Sequence, residues 1–244
     1  MKADKKTELD RLLLKSDLEY DESHYARYLD AKKITEHYGE YENSIAVLSN
    51  LSLDCSYIYY GNEHRSEEME SIWERQLLDQ VHPDDILEKH AWELRFVTFM
   101  ESVPEEERHF YHMQHILRMR QPSGEYAYLL HRVMYLDFDS NGNVLLALCL
   151  YNRFGSKVNP YVGIIDTRTG EPVEQLDAQI SDMLSGREKE VLQMIGNGLA
   201  SKMIAEKLCI SANTVNGHRQ HILKKLQVSN SSEAFSVAKR LGIL

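Results

Sequence analysis

The stretch from Ser201 to Leu226 decides how the C-terminal part of the chain folds, and it reads SKMIAEKLCISANTVNGHRQHILKKL. A short helical pattern ends near Leu208, a tight connection follows, and a longer helical pattern starts at Ala212. Along the longer pattern, apolar or packing residues recur at steps of three and four, namely Val215, His218, Ile222 and Leu226. Two helices of this kind joined by a tight turn predict a helix-turn-helix.

The opposite face of the longer helix is polar, amide-rich and basic towards its end. It carries Asn213, Asn216, Gly217, Gln220 and Lys224. Amide side chains can bond adenine edges bidentately in the major groove of DNA, and lysines can hold phosphates, so we expect Asn216 and Gln220 to read bases. A glycine inside a helix costs about 1 kcal/mol relative to alanine. Gly217 has two alternative explanations: close approach of the helix to a groove wall, or neutral drift at an exposed site.

Helix caps flank this stretch on both sides. Ser185 followed by Glu188 predicts a capping box, and Gly196 and Gly198 mark the end of the helix that it starts. Asn230 followed by Glu233 starts a last helix in the same way. The pattern predicts an all-α domain of four helices over residues 184–244.

These residues resemble the LuxR-type (GerE-like) DNA-binding domain. The resemblance covers about a quarter of the chain without gaps. The residues that carry it are Leu184–Leu192 (LSGREKEVL), Lys202–Ala205 (KMIA), Ser211, Thr214 and Val215, His218, Ile222 and Lys225–Val228 (KLQV).

The resemblance implies that the third helix enters the major groove of double-stranded DNA. It places near the phosphates Lys202, Asn213, Thr214, Lys224 and Lys225, and near the base edges Asn216, Gly217 and Gln220. Three positions depart from the family pattern: Ala200 stands where a small hydroxyl or proline is usual, Ser231 where a basic residue is common, and Asn216 where lysine is frequent. A target sequence therefore does not transfer from other members.

Charge separates the C-terminal domain from the rest. The formal net charge of the chain is −10, but residues 184–244 carry nine basic and four acidic side chains, a net charge of +5. The other 183 residues carry 19 basic and 34 acidic side chains, a net charge of −15. Only the C-terminal part would attract a phosphate backbone, so we expect the acidic part to sense a signal or bind a partner.

Several classes of protein find no support in the sequence. The three cysteines, Cys55, Cys149 and Cys209, lack the paired spacing of zinc sites, and we expect them to be buried and reduced. The longest apolar run, from Val144 to Tyr151, is too short to cross a bilayer, so we expect a cytoplasmic protein without a membrane segment. No phosphate-binding glycine loop or nucleophile elbow is present, so we expect no enzyme and predict no cofactor.

The N-terminal part begins with a charged, helix-favouring segment over residues 1–43. This segment is expected to form one or two amphipathic helices that either cap the next domain or pair two protomers. Residues 45–51 and 56–61 then predict a β-hairpin. Residues 67–78 look helical, and Pro83 starts a helix that runs to about Val103. Strands are predicted at 110–120, 126–138 and 143–151.

The middle of the chain, residues 44–154, resembles a PAS domain. The residues that carry the resemblance are Val81–Asp85 (VHPDD), Arg118–Arg120 (RMR) before Gly124–Tyr126 (GEY), and the closing hairpin through Asp139 and Gly142. It implies two strands, small helices, a longer helix and three further strands, in an antiparallel sheet whose concave face often holds a ligand or a partner.

The predicted architecture is therefore α+β, a PAS-like antiparallel sheet with helices, followed by the all-α helix-turn-helix domain. A hairpin over residues 161–173 and a connecting helix over 174–183 are expected in the linker, residues 155–183.

Histidines and tyrosines of the middle domain offer further hypotheses. His109, His112 and His115 are three residues apart, but a strand would turn His112 away from the other two, which argues against a metal site. His82 either ligates a haem, as a histidine does in some PAS proteins, or starts a helix. Tyr57 and Tyr59 share one strand face and Ile58 and Tyr60 the other. One pair could line a pocket, although core packing is the favoured interpretation for both.

Together these features predict a transcription regulator in which the PAS-like domain controls a DNA-binding output domain. The alternative is a ligand- or haem-binding sensor that acts mainly through a partner protein. We expect a homodimer on DNA, because one recognition helix offers few base contacts, and we expect the last helix to supply a contact through Val237 and Leu241. A small-molecule ligand of the PAS-like domain is a further expectation, with no identity implied.

Overall fold

The computed structural model describes residues 22–71, 75–155, 160–173 and 177–244, which form two compact units. Residues 22–71, 75–89, 100–155 and 160–173 make up the first, here called the sheet unit. Residues 90–99 and 177–244 make up the second, the helical unit. The predicted α+β class, with an antiparallel sheet and a C-terminal all-α domain, is confirmed.

The sheet unit is built on eight strands. They are β1 (Ile45–Asn50), β2 (Cys55–Tyr60), β3 (Arg65–Met69), β4 (Tyr111–Arg120), β5 (Tyr126–Phe138), β6 (Val144–Arg153), β7 (Gly163–Asp166) and β8 (Glu171–Pro172). Every pairing is antiparallel, and the strand order across the sheet is β3-β2-β1-β6-β5-β4-β7-β8. The five strands predicted from the sequence are therefore present, and β1 and β2 form the expected hairpin.

Eight α-helices and one 3-10 helix are present in the described residues. They are α1 (Glu22–Glu42), α2 (Arg75–Leu78), α3 (Pro83–Ser102), a 3-10 helix (Glu105–Phe110), α4 (Asp177–Asp182), α5 (Gly186–Gly196), α6 (Ser201–Leu208), α7 (Ala212–Lys225) and α8 (Ser231–Arg240). The predicted helix from Pro83 is confirmed. The predicted N-terminal helical segment corresponds to α1 in part, and residues 1–21 lie outside the described residues.

One prediction about the sheet needs correction. The helix expected over residues 67–78 is wrong in its first part, because Arg65–Met69 forms β3 and pairs with β2 at the edge of the sheet. Pairing with the preceding strand decides the structure of this segment, against the helical preference of its own sequence. The hairpin expected in the linker is confirmed as β7 and β8, and it also extends the sheet, since Tyr111 of β4 pairs with Asp166 of β7.

Alternate residues of the strands pack on opposite sides of the sheet. On one side, Val47, Ile58, Tyr60, Leu117, Met119, Leu129 and Tyr151 form a buried cluster with Leu77 and Val81. We call this side the inner face. On the other side, α1 packs through Tyr28 and Ala31 on a cluster that includes Tyr57 and Tyr59. The two pairs in β2 thus occupy opposite faces as the alternation predicts, and all four side chains are buried.

Two histidines lie side by side on the inner face. His115 and His131 are direct cross-strand partners, their Nε2 and Nδ1 atoms are 2.9 Å apart, and the His131 ring stacks on Tyr151. Both side chains are buried. Burial, together with the charge of Lys89 and the neighbouring His115, holds the pKa of His131 well below its usual value. His131 is therefore neutral in the folded protein near neutral pH.

None of the helices in the described part of the chain is both long and apolar enough to cross a membrane. The described residues also contain no cluster of three or more histidine, cysteine or acidic side chains that could hold a metal ion. The sequence predicted that His109 lies in a strand, which is wrong, because it lies in the 3-10 helix. His112 and His115 lie in β4 and point to opposite faces, as predicted. Cys55 and Cys149 are half-buried and Cys209 is exposed, so the expectation of three buried thiols is wrong for Cys209 and holds only in part for the other two.

The buried histidine pair predicts a loss of stability in acid. Because the pKa of His131 is depressed on folding, the unfolded chain binds more protons below about pH 6.5, and folding weakens as the pH falls. Relative to a His131→Phe variant, the wild type should lose about 1.4 kcal/mol of unfolding free energy between pH 7.5 and 5.5. Urea titrations at both values measure this, with the exposed His64→Leu as control. An unchanged difference between wild type and variant would contradict it.

Candidate nucleic-acid interface

The first helix of the four-helix region starts with the predicted capping box. Ser185 Oγ accepts the backbone N–H of Glu188, and the Glu188 carboxylate accepts the backbone N–H of Ser185 at 2.8 Å. Helix α5 ends at Gly196, and Gly198 follows with a φ of +82°. The α5 start is thereby fixed by two reciprocal bonds.

A tight turn joins α6 to α7. Cys209 is the C-cap of α6 and has a left-handed backbone, with a φ of +51°, and only residues 209–211 separate the two helices. Ser211 then caps α7 by accepting the N–H of Thr214 at 3.0 Å, and the two hydroxyls are 2.8 Å apart. The predicted helix-turn-helix is therefore present, with both helices of the predicted length.

Helix α7 has one buried and one exposed side, as the spacing predicts. Val215 and Ile222, with Leu226 at its C-terminal cap, are buried, and His218 is half-buried. The exposed side carries Asn213, Asn216, Gln220 and Lys224. Lys202 is exposed on the first turn of α6, and Thr214 is exposed on the first turn of α7.

Gly217 is half-buried on α7. A Cβ atom built at this position would meet no atom of the chain within 4 Å. No neighbour within the described residues therefore requires a glycine there. Both explanations from the sequence, approach to a groove wall and drift, are compatible with this geometry.

Lys225 differs from the other predicted contacts because its ammonium group is engaged inside the protein. Its Nζ lies 2.7 Å from Oε2 of Glu188, whose side chain is only 5% exposed. Burial by itself would raise the pKa of Glu188, but the hydrogen bonds from Lys225 and Ser185 outweigh it and lower that pKa below its usual value. The pair therefore ties the last turn of α7 to the first turn of α5.

Arg219 is a structural residue that no pattern in the sequence singled out. This residue lies between the two sides of α7, and its guanidinium donates to Ser201 Oγ at 2.9 Å and to Ser231 Oγ at 3.0 Å. Ser201 and Ser231 are the first residues of α6 and α8, so Arg219 joins the beginnings of both helices. The only signal in the sequence was Ser231 itself, a hydroxyl at a position where the resemblance implies a basic residue.

The last helix corrects one expectation. Asn230 caps α8 as predicted, accepting the N–H groups of Ser232 and Glu233. Val237 and Leu241, expected to be partly free for a dimer contact, are 0% and 4% exposed. They belong to the core of the helical unit, because both lie on the side of α8 that packs against the other helices. This pair is therefore not an open dimer surface.

Comparison with known proteins assigns the four-helix region to a class. Residues 182–238 match the family described as "Bacterial regulatory proteins, luxR family". This part of the chain is thus a luxR-family helix-turn-helix domain, and the match extends over less than half of the chain.

Individual relatives match in the same region. The uncharacterized response regulatory protein YgeK of Escherichia coli is 42% identical over 62 residues, 25% of this chain and 42% of that protein. The oxygen regulatory protein NreC of Staphylococcus carnosus is 40% identical over 62 residues, 25% and 29% of the two chains. The transcriptional regulatory protein DesR of Bacillus subtilis is 42% identical over 59 residues, 24% and 30%. The matched region spans less than half the length of each relative.

Solved structures add little. The structure of SdiA from Escherichia coli is 14% identical, with a TM-score of 0.24 over 97% of both chains. A sensory box histidine kinase/response regulator from Burkholderia thailandensis is 13% identical, with a TM-score of 0.32 over 47% of this chain and 79% of that one. Scores of this size support no argument about the fold.

The Glu188–Lys225 pair predicts that removing one partner destabilises the domain. In Lys225→Met the buried Glu188 carboxylate loses its ammonium partner, and we expect the unfolding free energy at pH 7 to fall by about 1–2 kcal/mol, since Lys225 is itself partly exposed. Thermal unfolding of the variant measures this. Lys224→Met, one residue away, is the control and should change little. The prediction fails if adding Glu188→Gln to Lys225→Met restores none of the loss.

Proposed function

We propose that the protein is a DNA-binding transcription regulator whose helix α7 enters the major groove. The observation that carries the proposal is the exposed amide face of α7, held on a capped helix-turn-helix that matches the luxR family. Asn216 and Gln220 are one turn apart on that face and have the donor and acceptor pattern that bonds adenine. Gly217 between them lets the helix backbone approach the base edges.

Phosphate contacts complete the proposed interface. Four exposed residues flank the amide face, namely Lys202, Asn213, Thr214 and Lys224. Because their side chains are not buried in the domain, they can bond DNA phosphates without disrupting its packing. Lys225 was assigned to the same group from the resemblance, and its exposed surface allows a phosphate contact only if the bond to Glu188 is kept or replaced. The net charge of +5 on residues 184–244 supports the same function.

We further propose that the sheet unit is a PAS-like input domain. The hairpin of β1 and β2, then short and long helices, then β4, β5 and β6 follow one another in an antiparallel sheet, and this order supports the assignment. Strands β3, β7 and β8 are additional to the five strands that the resemblance implies. The haem-bearing alternative has less support, because His82 Nδ1 accepts the N–H of Asp84 and thereby caps α3. Visible absorption of the purified protein would identify a haem.

Binding as a homodimer belongs to the same proposal. One recognition helix with two base-reading amides covers about four or five base pairs, too few for a specific site, whereas two half-sites supply the usual specificity. Footprinting on retained genomic fragments should show two half-sites in repeat. A single isolated half-site would contradict the dimer and leave the DNA-binding proposal intact.

Gln220 is expected to contribute to specificity rather than to general affinity. Gln220→Ala should relax the preference at one base pair, with a loss of roughly 1–3 kcal/mol on the preferred sequence. Binding to the selected site and to random duplex should be compared by fluorescence anisotropy. Equal losses on both DNAs would remove Gln220 from the base-reading residues.

Lys224 is expected to contribute affinity without specificity, because a phosphate contact carries no sequence information. Lys224→Ala should weaken binding to all duplexes alike and lower the slope of log affinity against log salt by about 0.9. The matched control is Lys33→Ala, which removes the same charge from an exposed position of α1. A loss confined to the selected site, or an equal change in the control, would argue against the phosphate contact.

A further inference from the structure

Helix α1 exposes two apolar stripes, one on each side of the face that packs on the sheet. Tyr25 and Leu29, four residues apart, form the short stripe and are 49% and 41% exposed. Ile34, Tyr38 and Tyr41 recur at steps of four and three and form the long stripe, with exposures of 45%, 41% and 87%. Large apolar side chains gathered on one surface, unlike scattered ones, mark sites of interaction.

Ion pairs show which way each stripe faces. Arg27 lies two turns before Ile34 on the same side of α1, and it bonds Asp137 of β5. Lys32 continues the short stripe and bonds Glu68 of β3. The long stripe therefore lies on the side of β5, and the short stripe lies beside the edge strand β3.

The sheet next to the long stripe is open on the same side. Helix α1 packs on β1, β2 and β6, where Leu148 is fully buried. Along β4 and β5, the residues of the inner face are buried, whereas the alternate residues on the α1 side are half-buried or exposed. They include the cross-strand pair Ile116 and Leu130, and Met134, which is the partner of Leu148. We call the long stripe together with these three side chains the α1–β5 surface.

The charged side chains at the two ends of the α1–β5 surface are neutralised within the chain. Arg27 is paired with Asp137 at one end, and Arg132 is paired with Glu42 at the other. An identical copy brings identical charges, so a surface that pairs with itself has to avoid a net charge. The short stripe instead adjoins β3, in which three of the five residues are charged. This contrast favours the α1–β5 surface for pairing between copies.

The size of the α1–β5 surface also fits a second copy. It extends about 25 Å along α1 and about 20 Å across the helix flank and two strands, which gives on the order of 500 Å² per copy. Two copies would bury on the order of 1,000 Å², the lower limit for a specific interface. The long stripe also contains two tyrosines, a residue type that contributes strongly to binding energy at interfaces. We therefore expect a reversible dimer.

From these features we propose that the α1–β5 surface binds the same surface of a second copy of the chain. The two copies are related by a two-fold axis, so each long stripe packs on the partner's α1–β5 surface. Val237 and Leu241 of α8 are buried and do not supply this contact. The inference deepens the homodimer of the proposed function and rests on it.

Sedimentation velocity of the full-length protein without DNA tests the proposal. A concentration series from about 1 to 100 μM covers the range expected for an interface of this size. The wild type should change from monomer to dimer within this range. A wild type that remains monomeric throughout, as it would if the surface bound a different protein, overturns the proposal.

Variants of the two stripes locate the contact. In Ile34→Glu/Tyr38→Glu the dissociation constant of the dimer should rise at least about tenfold, because four like charges then meet in the interface. Tyr41→Glu changes the most exposed residue of the long stripe, which leaves folding intact, and should also weaken the dimer. The matched control is Tyr25→Glu/Leu29→Glu, which adds the same charges to equally exposed positions of the short stripe and should pair as the wild type does.

Circular dichroism and the melting temperature confirm that each variant is folded. Dimers as tight as the wild type in both Ile34→Glu/Tyr38→Glu and Tyr41→Glu overturn the proposal, and so does a loss of pairing confined to the short-stripe control. Because these measurements contain no DNA, failure of the wild type to bind DNA would contradict the regulator function and leave the sedimentation result unaffected.

Discussion

The buried carboxylate of Glu188 is the contact on which the geometry of the helix-turn-helix depends. It accepts the backbone N–H of Ser185 and the ammonium of Lys225, and so fixes the start of α5 and the end of α7 at one point. A carboxylate at this depth is costly to bury unless both bonds are made. The orientation of α7, and with it the direction of its exposed amide face, therefore follows from a residue that itself contacts no DNA in the proposed function.

In the sheet unit, polar and charged side chains likewise fix both ends of α1. His24 and Arg27 bond Asp137 near the start of the helix, and Glu42 bonds Arg132 and Asn152 at its end. Asp137 and Arg132 both belong to β5, so one strand anchors both ends of the helix. Between the anchors, Tyr28 and Ala31 pack on the sheet. Apolar packing gives the helix its attraction to the sheet, and the charged ends set its position along it.

The sequence correctly predicted the features that depend on residues close together along the chain. The capping box at Ser185, the cap at Asn230 and the packed side of α7 each depend on residues within one or two turns, and the structure contains all three. The strand alternation in β2 likewise placed Tyr57 and Ile58 on opposite faces. These features needed no information about distant parts of the chain.

What the sequence missed depends on tertiary partners. Residues 65–69 form a strand because they pair with the free edge of the preceding strand β2, although their own sequence favours a helix. The hairpin of β7 and β8 joins the sheet because β7 pairs with β4. Arg219 finds its two serines 12 and 18 positions away, and Glu188 meets Lys225 at a separation of 37.

The cations of the helix-turn-helix divide into two groups with different physical roles. Arg219 and Lys225 bond groups inside the domain, and a DNA phosphate could recruit either of them only in competition with those bonds. Lys202 and Lys224 are exposed and form no ion pair within the described residues. Their contact with a phosphate costs only side-chain freedom and releases counterions. In the proposed complex with DNA, the cations bonded inside the domain would therefore hold the shape of the interface, and the exposed cations would supply the affinity. For this reason Lys225, although assigned by resemblance to the phosphate contacts, belongs first with the residues that position α7.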